Sequence, residues 1–148
     1  MKKGICLFLA GCFLFSPSVF AANEDRLIAP GASAAVVDAK AHTVLATIKL
    51  TGELARPMGA VASPDGKWVY VTTGRGKMLV AIDTTTHVVA WSVEVGQRPW
   101  GVAISPDGST VYTANGPSND ISIVDVAARS VVGRVKAGDR PWGAAIAP

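Results

Sequence analysis

Short apolar runs separated by turn-forming residues make up the chain from Gly31 onward. Four such runs, rich in Val, Ile and Thr, occupy residues 100–105, 110–114, 121–126 and 131–137. Their length and β-branched content predict strands, and the Pro, Gly, Asp and Asn residues between them favour tight turns. Helical periodicity with capping residues is absent, so the pattern predicts an all-β protein.

The same pattern repeats with a period of 42 residues. Arg98-Pro99-Trp100-Gly101 recurs as Arg140-Pro141-Trp142-Gly143, and an earlier copy reads Arg56-Pro57-Met58-Gly59. Ser63-Pro64-Asp65-Gly66 recurs in the same way as Ser105-Pro106-Asp107-Gly108. Four short strands in a unit of about 40 residues are typical of one blade of a β-propeller.

The repeat predicts a β-propeller of four-stranded antiparallel blades, with about two and a half blades present. The predicted blades cover residues 34–50 (partial), 57–95, 99–137 and 141–148 (partial), after a leader at 22–33. A propeller ring needs about 4–8 blades. We therefore expect an incomplete ring, a fragment of a longer propeller, and possible self-association through exposed blade edges.

The N-terminus has the features of a secretory signal peptide. A basic start, Met1-Lys2-Lys3, precedes an apolar stretch at 4–15 and small residues that favour cleavage after Ala21. The apolar stretch is shorter than the roughly 20 residues of a membrane-spanning helix. An alternative is a lipoprotein signal, Leu9-Ala10-Gly11-Cys12, with lipid attached to Cys12. Either interpretation predicts a periplasmic or secreted protein.

Removal of residues 1–21 changes the chemistry that the composition suggests. The formal charge of +3 falls to +1, because Lys2 and Lys3 leave while every acidic residue stays. Such a balance argues against a nucleic-acid partner. Cys6 and Cys12 also leave, so we expect no disulfide, no thiolate nucleophile and no cysteine-linked haem in the mature chain.

The repeat closely resembles the YVTN-type β-propeller family of secreted and periplasmic bacterial and archaeal proteins. The matching elements lie at 98–108, 111–115 and 123–125, and the resemblance covers about residues 34–148. It implies a seven-bladed propeller, of the kind grouped with the haem-d1 domain of nitrite reductases and with propellers that accompany quinoprotein dehydrogenases. Such propellers are more than twice as long as this chain.

The repeated Arg-Pro-Trp-Gly segments supply the candidate binding residues. Arg56, Arg98 and Arg140 occupy equivalent places and could form a basic rim for an anionic ligand. Alternatively, each arginine pairs within its own blade. Trp100 and Trp142 could line a ligand surface, or they could pack between blades.

Other polar residues are predicted to serve turns. Asp38, Asp83 and Asp125 follow apolar runs and can accept hydrogen bonds from the next turn, while His42 and His87 occupy a polar turn position. A glycine-rich segment at 74–77 lacks the context of a phosphate-binding loop and predicts a hairpin turn. The sequence indicates no catalytic set, no metal site and no cofactor.

These observations favour an exported binding or scaffold module, with a protein partner or small ligand that the sequence does not name. One alternative is an accessory propeller of a quinoprotein or haem-d1-type oxidoreductase. Another is an anion or nucleic-acid binder that uses the repeated arginines.

Overall fold

A computed structural model describes residues 5–9 (backbone only), 33–50 and 54–147. Strands dominate this part of the chain, and the helical element described is a single 3₁₀ turn, Gly74–Gly76. The strands are β1 (Ile5–Leu9), β2 (Ser33–Asp38), β3 (Thr43–Lys49), β4 (Ala60–Ala62), β5 (Trp68–Thr72), β6 (Met78–Asp83), β7 (Val89–Glu94), β8 (Pro99–Ile104), β9 (Thr110–Asn115), β10 (Asp120–Asp125) and β11 (Ser130–Lys136).

The strands form three antiparallel sheets with sequential neighbours. The order is β1-β2-β3 in the N-terminal sheet, β4-β5-β6-β7 in blade 1 and β8-β9-β10-β11 in blade 2. The predicted all-β architecture of four-stranded blades is thus confirmed, and the described sheets form an open array rather than a closed ring. Residues 141–147 follow blade 2 without strand structure.

The N-terminal sheet contains the two strands predicted within 34–50 and one further strand, β1. Ile5 is paired with Asp38 and Leu9 with Ala34. Strand β1 therefore takes the place that β5 has in blade 1, where Trp68 is paired with Asp83. The rest of the predicted signal peptide, including Ala21 and Cys12, and the leader up to residue 32 lie outside the described residues.

Alternating side chains of blade 1 belong to two apolar clusters, one on each face of the blade. Val69 and Val71 belong to a cluster that joins blade 1 to the N-terminal sheet. Tyr70, on the opposite face of the same strand, belongs to a second cluster that joins blade 1 to blade 2. Since successive residues of a strand point to opposite faces, the inner strands β5 and β6 of blade 1 bury both of their faces.

The Ser-Pro-Asp-Gly segments form the predicted turns. Gly66 and Gly108 have φ values of 71° and 74°, a region that favours glycine. The Ser63 hydroxyl and the Lys67 amide donate to the Asp65 carboxylate and lower its pKa. Each segment therefore reverses the chain with its own hydrogen bonds.

The predicted strand-end aspartates also accept hydrogen bonds from their turns. The Asp83 carboxylate accepts from the amides of Thr86 and Thr85, each at 2.8 Å, and these bonds lower its pKa. His87 follows with a left-handed φ of 57°. His42 and Arg129 have the same conformation at the corresponding places, which confirms a turn position.

Candidate functional site

Loops at opposite ends of the strands form two rims. The entry rim is the one where the first strand of each blade begins, and it consists of residues 54–59, 73–77, 95–99, 115–119 and 137–141. The opposite rim consists of the turns at 38–43, 63–67, 83–88, 105–110 and 125–130. The repeated Arg-Pro segments lie on the entry rim because two of them lead into the first strands β4 and β8, and the third follows the last strand of blade 2.

A cavity of about 300 Å³ opens on the entry rim beside blade 2. It is lined by Arg98, Trp100, Pro117, Asn119, Asp139 and Arg140. Its volume is at the lower end of the range for small-ligand sites. Three of the five residues singled out in the sequence therefore meet at one place.

The turn 116–119 holds both arginine segments in position. Its Gly116 amide donates to the Arg98 carbonyl at 3.4 Å, and its Asn119 side-chain oxygen accepts from the Arg140 amide at 2.9 Å. Arg98 and Arg140 have left-handed φ values of 49° and 47°. This conformation is uncommon for non-glycine residues and is seen where the surroundings impose it.

The two tryptophans form a stacked pair next to the cavity. Their ring centroids are 4.3 Å apart and their planes differ by 28°. Trp100 lies against Gly116, where any side chain would collide with its ring. Trp142 remains 62% exposed. The pair therefore joins blade 2 to the following segment, as expected for packing between blades, and still presents one indole to solvent.

The side chains of the three repeated arginines have no partner in the part of the chain that the structure describes. No hydrogen bond or ion pair links the guanidinium of Arg56, Arg98 or Arg140 to another described residue. The alternative prediction, that each arginine pairs within its blade, is therefore not observed. Arg56 lies one blade away from the cavity, where Met58 packs on Gly74 as Trp100 does on Gly116.

A buried polar network beneath the rim was not identified from the sequence. The Asn115 amide nitrogen donates to Asp120 at 2.7 Å and to Ser122 at 2.8 Å, and its oxygen accepts from Thr113 at 3.0 Å. Arg134 extends this network to blade 1 by donating to the Val95 carbonyl at 3.3 Å. The sequence signal that could have indicated this network is the Asn at position 115, where the equivalent residue of blade 1 is Thr73.

The described residues contain neither a cluster that could hold a metal ion nor a membrane-spanning helix. Among residues 33–50 and 54–147, no three His, Asp or Glu side chains are close enough together to hold a metal ion. Within the same part of the chain, no helix is long and apolar enough to cross a membrane.

Comparison with known proteins places the fold among propeller-type structures. No family model and no curated protein matches the chain. Hydrazine synthase from Kuenenia stuttgartiensis is similar in structure, with a TM-score of 0.70 and 25% identity over 75% of this chain. Two structures of AztD from Citrobacter koseri, one of them the apo form, have TM-scores of 0.62 and 0.61 and 19% and 18% identity, again over 75% of the chain.

The chain spans about a third of the length of these structures, 32% of hydrazine synthase and 31% of AztD. The AztD likeness shows the fold alone. The matched structures therefore support a propeller scaffold. The binding chemistry of this chain depends on the residues of its own cavity.

Unpaired guanidinium groups beside an aromatic ring suit an anionic group. A guanidinium presents parallel N–H donors that match a carboxylate or phosphate, and it is more weakly hydrated than an ammonium group. Asp139 at the same cavity can accept a hydrogen bond from a donor on the ligand.

Proposed function

We propose that this chain is an exported β-propeller binding module of the YVTN repeat type that binds anionic groups at the entry-rim cavity. The observation that carries this proposal is the meeting of Arg98 and Arg140 at one cavity, without a partner for either guanidinium among the described residues. Stacked repeats commonly form extended surfaces that bind a partner. The module binds and positions its ligand at this cavity.

Binding is tested by titrating the processed protein with phenyl phosphate at low ionic strength. The probe combines an anionic head with a flat ring of a size that the cavity can hold. We expect the Arg98→Gln/Arg140→Gln double variant to bind at least tenfold more weakly, because both charge-assisted contacts are lost.

The matched control is Arg129→Gln. Arg129 is exposed and has a left-handed φ of 53°, like the two site arginines, but it lies on the opposite rim. Its substitution should leave binding unchanged. Absence of binding to the unaltered protein at low salt, or an equal loss in the control, would overturn the proposal.

Export to the periplasm rests on the N-terminal pattern around Lys2, Lys3 and Ala21. Cell fractionation followed by mass measurement of the N-terminal peptide tests it. A periplasmic protein that begins at Ala22 is the expected result, and a lipid-bearing Cys12 would indicate the lipoprotein route. Retention of Met1 on a protein found in the cytoplasm would contradict export.

A second candidate function is that of an accessory propeller in an oxidoreductase system. The likeness to hydrazine synthase at 25% identity favours it, because that match places a similar propeller in an enzyme. Purification from the native periplasm under mild conditions tests this candidate. A co-purifying redox enzyme that dissociates on loss of the entry-rim arginines would support it, and a protein that remains single and colourless would not.

A further inference from the structure

The formal net charge of +3 is divided unequally between the two rims. The loops of the entry rim carry one acidic residue, Asp139, and five basic ones, a formal charge of +4. The basic residues are Arg56, Arg75, Lys77, Arg98 and Arg140. All five are exposed, so their charges face solvent on one side of the molecule.

The opposite rim has the opposite sign. Its turns carry five aspartates and three cations, a formal charge of −2 with neutral histidines. The aspartates are Asp38, Asp65, Asp83, Asp107 and Asp125, and the cations are Lys40, Lys67 and Arg129. Several of these carboxylates are occupied by hydrogen bonds from their own turns, whereas the entry-rim arginines are not.

Positive charge on the entry rim extends well beyond the cavity. A shift of 42 residues maps Pro117, Asn119 and Asp139 of the cavity onto Arg75, Lys77 and Gln97 of blade 1. At the corresponding place in blade 1, two neutral residues are thus basic and the acidic residue is neutral. The 3₁₀ turn that carries Arg75 lies against β8, the strand that begins beside Arg98, so the two positions are neighbours.

We propose that the entry rim is a docking surface for a protein partner that presents a cluster of carboxylates. This inference rests on the proposed binding function and extends it from one cavity to the rim of both blades. Complementary charge guides such an encounter and selects the partner.

The composition of the rim favours a protein over another polyanion. Four of its five cations are arginines, and Met58, Trp100 and the exposed Trp142 lie among them. Arg, Trp and Met are enriched in protein interfaces, where they contribute much of the binding energy, while Lys is depleted. The arginines of this rim can bind carboxylates of a partner, and the Met and Trp side chains can pack against apolar groups of the same partner.

The experiment compares a decaglutamate peptide with a single-stranded DNA of ten nucleotides, titrated into the processed full chain at 50 mM salt. We expect the peptide to bind, and the Arg75→Gln/Lys77→Gln double variant to weaken its binding about tenfold. Both substituted residues lie outside the cavity, so phenyl phosphate binding should persist in this variant.

The control is the Lys40→Gln/Arg129→Gln double variant. It removes the same charge from the opposite rim, and in each pair one substituted residue has a left-handed φ. This variant should bind the peptide as the unaltered protein does. An equal loss in both variants would overturn the assignment to the entry rim.

Two further outcomes separate this inference from the proposed function. Failure to bind decaglutamate while phenyl phosphate still binds would overturn the docking surface alone, whereas failure of both probes would overturn the proposed function. Tighter binding of the DNA than of the peptide, with the same dependence on Arg75 and Lys77, would replace the protein partner with a nucleic acid.

Discussion

Blade 1 and blade 2 share one 42-residue template but differ in what covers their faces. Tyr70 of blade 1 is fully buried, and its ring lies 5.8 Å from that of Trp91. The equivalent Tyr112 of blade 2 is partly exposed, and Gly133 takes the place of the tryptophan. The contribution of this tyrosine to stability therefore depends on the blade or segment packed against it. This dependence is expected when each repeat is stabilised through nearest-neighbour interfaces.

The two interfaces of blade 1 differ as well. Toward the N-terminal sheet the contact is a cluster of aliphatic side chains. Toward blade 2 it includes the fully satisfied Asn115 network, which reaches the Val95 carbonyl through Arg134. Buried polar groups must all be paired, so such a network tolerates fewer arrangements than an apolar contact does. We infer that it sets the register between the two blades.

The largest expected effect comes from removing the tyrosine ring in each blade. Tyr70→Ala should lower the free energy of unfolding by about 3–5 kcal/mol, because it leaves a large cavity in a packed layer. Tyr112→Ala should cost clearly less, since its ring is only partly covered. Chemical denaturation of both variants measures the difference, and equal losses would show that the two faces are equally packed.

The network should give the next largest effect. Asn115→Ala removes the amide that donates to Asp120 and to the buried Ser122, which we expect to cost about 1–3 kcal/mol. Thr73→Ala, at the equivalent position of blade 1, removes a hydroxyl that bonds only to the backbone of Met78 and should cost less. Thermal unfolding of the pair tests the proposed role, and a larger loss for Thr73→Ala would refute it.

Close approach of β8 to the segment that follows blade 2 gives a third test. A methyl group at Gly101 would lie 2.5 Å from the Gly143 Cα, while one at Gly143 would meet nothing within 4 Å. Gly101→Ala should therefore cost about 1–3 kcal/mol through overpacking, and Gly143→Ala should be close to neutral. Stability measurements on the two variants compare an enclosed position with an open one.

The smallest expected effect concerns pH. Hydrogen bonds from the Ser105 hydroxyl, then from the Ser109 amide and hydroxyl, lower the pKa of Asp107 to about 2. A carboxyl with a lowered pKa in the folded state stabilises the fold above its ordinary value near 3.8, and this contribution disappears as the pH falls toward 2.

The variant that tests this effect is Asp107→Asn. The variant should be slightly less stable at neutral pH and should lose less stability between about pH 4 and pH 2. Acid titration of unfolding, followed by fluorescence, measures it. An unchanged acid dependence would mean that the Asp107 hydrogen bonds do not stabilise the folded turn.

Much of the fold could be predicted from the sequence, because local patterns determine it. The strands predicted at 110–114 and 121–126 appear as Thr110–Asn115 and Asp120–Asp125. Gly66, Gly108 and the strand-end aspartates form the turns that their residue types favour. In each case the interactions join residues a few positions apart, so the sequence contains all the partners.

The candidate site could be predicted only in part. The 42-residue period identified Arg56, Arg98 and Arg140 as equivalent residues, but it did not distinguish Arg98 and Arg140 from Arg56. Arg98 and Arg140 meet because the turn 116–119 holds both segments, a contact between residues about 20 positions apart. The repeat pattern alone does not contain that contact.

By itself, the sequence determined the all-β class, the blade period and the turns, since alternation, β-branched content and glycine placement act locally. Only the tertiary structure decided which faces are buried, where Asn115 finds its partners and that basic residues outnumber acidic ones on the entry rim. The physical reason is that every second chain reversal returns to the same rim. Charges scattered along the chain are thereby sorted into two surfaces of opposite sign.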